Sequence, residues 1–351
     1  MKLVCRISMA NGQEFVRRLQ QTGGATLIVS LPKEWIDRTG LKKFDEILLV
    51  SSDDGTLHII PRNMSNKTQQ EEFTVDVMPN ETAEGVLRDY MSAYLAGYNT
   101  IRIRFDEPSP GLAQKIRQLV RRWLIGVEVV EETIHEMVTQ CLPTHNSLPL
   151  MKALERMGSI ASSMQREAVS ALAEQNKSIA LEVVQRDDEV DRFYHFIVRQ
   201  LNIAVSSPVI LKSLGLNNRQ DCLGYMLVTK SIERAADHAS SIANLSMTLH
   251  SSKSSILEKI VEAGYRANKL FDDALKSILQ TDREAAKQTI QQAEDVTKMT
   301  HELNNQLIRK SITSTALRLL LENIKRIAEY SSDISEVAVN LSVKKPRINL
   351  M

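Results

Sequence analysis

From about residue 147 onward, apolar residues recur every three or four positions, the spacing that gathers them on one face of a helix. The rhythm predicts six helices, at about 148–174, 178–203, 218–249, 254–280, 283–310 and 314–341. Breaks fall at Gln175-Asn176, at Ser206-Ser207-Pro208 with Gly215 and Asn217-Asn218, at Ser251-Ser252, at Thr281, and over Ser311 to Ser314. In the second helix Val183, Val190, Tyr194, Ile197 and Leu201 form the apolar stripe. The same rhythm puts Asp187 on that stripe and Asp191 beside it. A carboxylate on a buried stripe is costly unless something compensates it. The third helix carries a matching pair, Glu233 and Asp237.

Ahead of the helices the pattern shortens. Ala25 to Leu31 (ATLIVSL) reads as a strand, with Gly23-Gly24 as a turn before it. Pro32 ends it, and Lys33 to Thr39 reads as a short helix closed by Gly40. Glu46 to Ser51 and Thr56 to Pro61 are strands joined by a hairpin signal at Asp53-Asp54-Gly55. So small a unit buries little surface alone and gains by interlocking with a second copy. Asn63 to Glu72 is polar and reads as a linker. Then follow a strand over Phe73 to Val77, a helix over Thr82 to Ala96, a strand over Thr100 to Phe105, a loop at Pro108 to Pro110, a helix over Leu112 to Leu124 and a strand over Val127 to Glu131. That β-α-β-α-β order predicts a small α/β module. The expected divisions are 1–62, 73–142, 147–250 and 253–342.

Composition adds boundaries rather than identity. Of 351 residues, 43% are apolar and 25% charged, as in ordinary globular proteins. A net charge of +1 exerts no global pull toward nucleic acid or membrane, so any such binding rests on local patches. One patch lies in the first 50 residues, where eight Lys and Arg face five acids. Its candidates are Arg17, Arg18, Lys33, Arg38, Lys42 and Lys43; the plainer reading makes Lys42-Lys43 a solvated turn and Lys33-Glu34 helix-start chemistry. A second is the module's second helix, with Lys115, Arg117, Arg121 and Arg122 and no acid, either a face for an anionic partner or a solvated helix face. Cys5, Cys141 and Cys222 are too few and scattered for a disulfide framework or a Cys-rich zinc site. No apolar run approaches the roughly 18 residues of a membrane span, and the N-terminus lacks the apolar core of a signal peptide, so the expected location is the cytoplasm without membrane insertion. Neither a Gly-rich phosphate loop nor a nucleophile elbow is present.

The helical half repeats itself. VVQRDDEVDRFYHFIVRQL matches TIQQAEDVTKMTHELNNQL, and IERAADHASSIA matches IKRIAEYSSDIS. Apolar positions coincide at Val184 and Ile290, Val190 and Val296, Ile197 and Leu303, and Ile242 and Ile334.

Two family resemblances rest on these segments. TGGATLIVSLPKEWIDRTGLKKFDEILLV, followed by the hairpin to LHIIP, resembles the AbrB/MazE-type swapped-hairpin domain over Gln20 to Pro61. That resemblance implies an intertwined homodimer and DNA contacts through the six cations named above. The family often has Gly before the acid at Asp45; this chain has Phe44. RDDEVD and IERAADHA carry a resemblance to PhoU, the phosphate-uptake regulator family, over Leu148 to Leu341. The order of parts resembles an archaeal type that joins both. The implied fold is mainly α: two tandem three-helix PhoU-like bundles, preceded by the α/β module and the swapped-hairpin β domain. The implied partners are a second copy, DNA, and the ATPase subunit of a phosphate ABC transporter.

PhoU-like proteins bind metal through E/D-x-x-x-D pairs. Carried over, the first repeat keeps Asp187, Asp191, Glu233 and Asp237, with Asp188 and His238 nearby. In the second, Asp187 aligns with Ala293, Asp191 with Thr297 and Glu233 with Lys325; Asp237 alone keeps an acid, Glu329. One metal site is therefore expected, in repeat 1, for a divalent or trivalent ion such as Fe, Mn, Mg or Zn. Spacing i, i+4 stacks two carboxylates one turn apart, where they repel unless a cation joins them. Salt bridges to Arg186, Arg192 or Arg234, or a plain solvated face, would equally account for the acids. Catalysis is not expected: di-iron bundle enzymes use Glu-x-x-His pairs, and the helices offer instead Asp191 and His195 at i, i+4.

Overall fold

The computed structural model describes residues 14–51, 55–62, 72–142, 148–249, 254–310 and 312–343. The hairpin residues Asp53 and Asp54, nearly all of the 63–72 linker, and Cys5 lie outside them. The chain separates into two compact units, the head and everything from the α/β module onward.

In the head, β1 (Gln20–Thr22) pairs antiparallel with β2 (Thr26–Ile28), Gln20 opposite Ile28. Helix α1 (Lys33–Thr39) follows, and β3 (Ile47–Ser51) bonds to β4 (Leu57–Pro61). Val50 and Pro61 are the buried residues of these elements, whereas Leu27, Ile28, Leu48, Leu49 and Leu57 stand exposed. Among the described residues of the head, the β-patterned apolar side chains are thus largely uncovered. Phe44, the departure from the family's glycine, has φ +75°, a left-handed backbone that only glycine adopts without cost.

The α/β module comprises β5 (Glu72–Val77), α2 (Ala83–Ala96), β6 (Thr100–Phe105), α3 (Pro110–Trp123), β7 (Val127–Glu132) and β8 (Glu136–Cys141). Its sheet order is β5-β6-β8-β7: β5 and β6 run parallel, joined through α2, and β8 is antiparallel to both neighbours. Strand β8 goes beyond the expected β-α-β-α-β order. Met137, Val138 and Thr139 are buried consecutively, so the segment lacks the alternation that marks a half-buried strand. It pairs on both edges, and Tyr90 hydrogen-bonds Thr139 beneath it at 2.6 Å.

The six long helices are α4 (Leu150–Glu174), α5 (Lys177–Ser206), α7 (Arg219–Thr248), α8 (Ser255–Gln280), α9 (Arg283–Arg309) and α10 (Thr315–Ser342). A short α6 (Pro208–Ser213) occupies the predicted break, capped by Ser207 with Pro208 in its first turn. The repeat is written into the helix ends. Gln175 and Thr281 close α4 and α8 at φ +55° and +54°, and the next residues, Asn176 and Asp282, each cap the following helix with a side-chain oxygen. The two repeats share one continuous core, in which α4 meets α8 and α7 meets α10.

Their join is close to two-fold. A Cβ added to Gly158 would lie 2.8 Å from Leu275 Cδ1, and one added to the equivalent Gly264 would lie 2.7 Å from Val169 Cγ2. The equivalent residues His238 and Tyr330 stack on each other, ring centroids 5.8 Å apart.

Candidate functional site

Helices α5 and α7 pack along their lengths and bring the two acidic pairs into one wall, with Asp187, Asp191 and Glu233 half-buried and Asp237 exposed. Burial, then repulsion from Asp237, Asp188 and Glu233, pushes Asp187 up to about 6. Burial, then Asp187, Glu233 and Asp237, pushes Asp191 up to about 7. Asp237 is raised by burial and by Glu233. Asp187, Asp191 and Asp237 are thus each raised by burial together with neighbouring carboxylates. Glu233 Oε1 accepts from Lys230 Nζ at 2.7 Å, while its buried Oε2 has no partner.

The flanking residues divide. Asp188 turns to the α/β module and accepts from Arg122 Nε at 2.7 Å. His238 turns toward the second repeat, its Nδ1 2.6 Å from Asn323 Oδ1. His195, with its Nδ1 buried and unpartnered, is pushed down to about 4 by burial, and Trp123 of the module lies 6.0 Å from its ring. Of the arginines that could compensate the acids, Arg186 pairs with Glu167 at 2.9 Å, whereas Arg234 hydrogen-bonds Tyr330 and also feels the charges of Glu233 and Asp237.

In donor type and charge the wall suits a hard cation, and the orphaned Glu233 oxygen is the kind of group such an ion would satisfy. Yet among the described residues no three His, Cys, Asp or Glu side chains converge in metal-holding geometry. The wall has the chemistry of a cation site without a preformed cage.

Sequence reasoning missed the residues that fasten the module to this helix. Arg199, 7% exposed, donates to the Tyr94 carbonyl, to the Gly97 carbonyl at 3.2 Å and to Asn99 Oδ1 at 2.9 Å, with its guanidinium 4.8 Å from the Tyr94 ring. Asn202 donates to the Leu95 carbonyl at 2.9 Å. Gly97 sits at φ +105°, where an added Cβ would be 2.9 Å from Ile203 Cγ1. The partners lie about a hundred residues back along the chain, so no local pattern marks them.

The two basic patches separate clearly. In the module Lys115 pairs with Glu84 at 2.9 Å, Arg117 with Glu132 and Arg122 with Asp188, so the helix is largely neutralised. In the head Arg17, Arg18, Lys33, Arg38, Lys42 and Lys43 are all exposed, and none forms an ion pair among the described residues. Arg17 and Lys43 rest over the rings of Phe15 and Phe44.

Comparison with known proteins then decides the lineage. A PhoU domain model matches residues 154–246 and again 260–338, and a model of the MazE bacterial antitoxin, described as antidote-toxin recognition, matches 20–67. The chain carries two PhoU domains behind a MazE-type domain. The phosphate-specific transport system accessory protein PhoU homolog of Clostridium acetobutylicum is 22% identical over 206 residues, covering 56% of this chain and 92% of that protein. The PhoU homolog of Caulobacter vibrioides is 29% identical over 97 residues, 27% of this chain and 39% of that protein. The crystal structure of PhoU from Pseudomonas aeruginosa superposes with a TM-score of 0.50 at 16% identity, over 55% of this chain and 94% of that one. The expected fold class, two PhoU-like helical bundles behind a small strand-bearing N-terminal region, is the one observed. No described helix is long and apolar enough to cross a membrane.

Proposed function

We propose that this PhoU-domain chain regulates phosphate transport, as a homodimer whose MazE-type head binds DNA and whose helical tail receives the signal. The observation that carries the DNA reading is the set of six exposed cations that form no ion pair among the described residues, on a head whose described residues are mostly exposed. Its exposed β-face side chains favour closure by a second copy, which would double the cationic face. Phosphate contacts require such free cations, whereas three of the module's four, Lys115, Arg117 and Arg122, are already spent on carboxylates. The tail's input is a hard cation drawn to Asp187, Asp191, Glu233 and Asp237, or the ATPase subunit of a phosphate transporter. Coupling follows if either input binds one arrangement of the dimer better than another.

A gel shift on the promoter of a phosphate-transport operon tests the DNA reading. Binding is expected to weaken steeply with added salt and to be lost in Arg17→Ala/Arg18→Ala. A wild-type chain that leaves the promoter fragment unshifted at low salt removes it. The near-neutral net charge favours a second reading, an adaptor that docks on the transporter and uses the head only as a dimer clamp. Capture of the ATPase subunit, with no salt-sensitive DNA affinity, selects that reading.

A further inference from the structure

The two repeats diverge most where the second and third helix of each face one another. In the first, the well-shielded end of an ion pair is an anion: Glu233, its side chain 12% exposed, held by Lys230 at 2.7 Å. In the second the equivalent pair is reversed in sign, Lys325, 19% exposed, with Glu322 at 2.9 Å. Ala293 and Thr297 stand where Asp187 and Asp191 stand in the first. A second change removes side-chain bulk. Tyr194, whose ring lies 4.8 Å from the Lys230 ammonium, is replaced by Thr300, and Val198 by Asn304. At this place the second repeat has a cavity of about 350 Å³ lined by Thr300, His301, Asn304, Arg318, Glu322 and Lys325, with Leu319 and Leu321 as apolar walls. That volume lies at the small end of the roughly 300–1,000 Å³ of ligand pockets.

The lining is built for an anion. Arg318 forms no ion pair among the described residues, and its planar fork matches the oxygens of a phosphate group. Lys325 adds a point charge, and the His301 ring and Asn304 amide are further donors. The Thr300 hydroxyl is spent on its own helix, donating to the Thr297 carbonyl at 2.8 Å, so Thr300 supplies no bond to a ligand. Glu322 is the one carboxylate of the lining. It is also held by Arg326 at 3.1 Å and keeps a counter-ion when Lys325 turns to a ligand.

We infer that the second repeat binds a small molecule carrying a phosphate group, held by Arg318 and Lys325 in the groove between α9 and α10. The site is independent of DNA binding and of the acidic wall. Isothermal titration calorimetry on the full chain tests it, with inorganic phosphate and glycerol 3-phosphate as probes, and glycerol and sodium chloride at matched ionic strength as controls. The expected result is saturable binding of one phosphate probe per chain. Arg318→Ala and Lys325→Gln each weaken it about tenfold or more, the scale of a lost charge-assisted bond. Arg318→Lys weakens it less, because it keeps the charge and loses the fork. Arg318 is exposed, so its substitution leaves the fold intact by circular dichroism. Tighter binding of glycerol 3-phosphate names a phosphate ester as ligand, and tighter binding of inorganic phosphate names the free ion. No saturable heat with either probe, or affinity unchanged in Arg318→Ala, overturns the inference.

Discussion

Asp191→Asn should stabilise the protein at alkaline pH, and the gain should shrink as pH falls. The wild-type carboxyl is raised from an ordinary 3.8 to about 7, first by burial and then by Asp187, Glu233 and Asp237. At about 1.36 kcal/mol per decade, holding it ionised costs the fold about 4 kcal/mol. Water reaches this half-buried side chain, and screening reduces the figure to about 2 kcal/mol. The sign follows from proton linkage. Between about pH 4 and 7 the folded chain holds a proton that the unfolded chain has released, so stability falls as pH rises through that window. Asparagine keeps the shape and cannot ionise. In a chelator, thermal unfolding followed by circular dichroism should show the variant about 2 kcal/mol more stable at pH 8, roughly 4 °C in Tm for a unit of this size, and about half that gain at pH 5. A variant less stable than wild type at pH 8, or a gain independent of pH, refutes the reasoning. Repeating the pH 8 scan with Mg²⁺ or Mn²⁺ probes the cation reading: the wild type should gain more than the variant, because the ion removes the repulsion that asparagine has already removed.

Phe44→Gly should stabilise the head by about 1 kcal/mol, since glycine takes φ +75° without strain; chemical denaturation measures it, and an unchanged midpoint refutes it. Gly264→Ala should cost about 1–3 kcal/mol and more than Gly158→Ala, because the added methyl meets the stiff, branched Val169 rather than the flexible end of Leu275. Comparison of the two melting curves checks the order. Arg199→Met should cost about 1–3 kcal/mol by leaving the Gly97 carbonyl and Asn99 Oδ1 without their donor and the Tyr94 carbonyl with the Gly97 N–H alone. Its loss should appear as faster amide exchange at the C-terminal turn of α2, and exchange as slow as in wild type would refute it.

The sequence by itself determined the six long helices, their breaks, the repeat and the acidic pairs, because a helix is set by spacing within a few residues. It also determined the oddity at Phe44, where a glycine was expected and the backbone is left-handed. Tertiary structure decided what depends on distant partners. Strand β8 exists because two neighbouring strands bond it, not because of its own pattern. Three cations of α3 look alike in sequence to those of the head, and only the folded chain shows them neutralised by Glu84, Glu132 and Asp188. The cavity of the second repeat was half legible: the alignment of Glu233 with Lys325 was visible in the sequence, whereas the open volume between α9 and α10 emerged only once the two helices faced each other. Periodicity is local and reads directly from the chain; charge pairing and empty volume are properties of residues that meet only on folding.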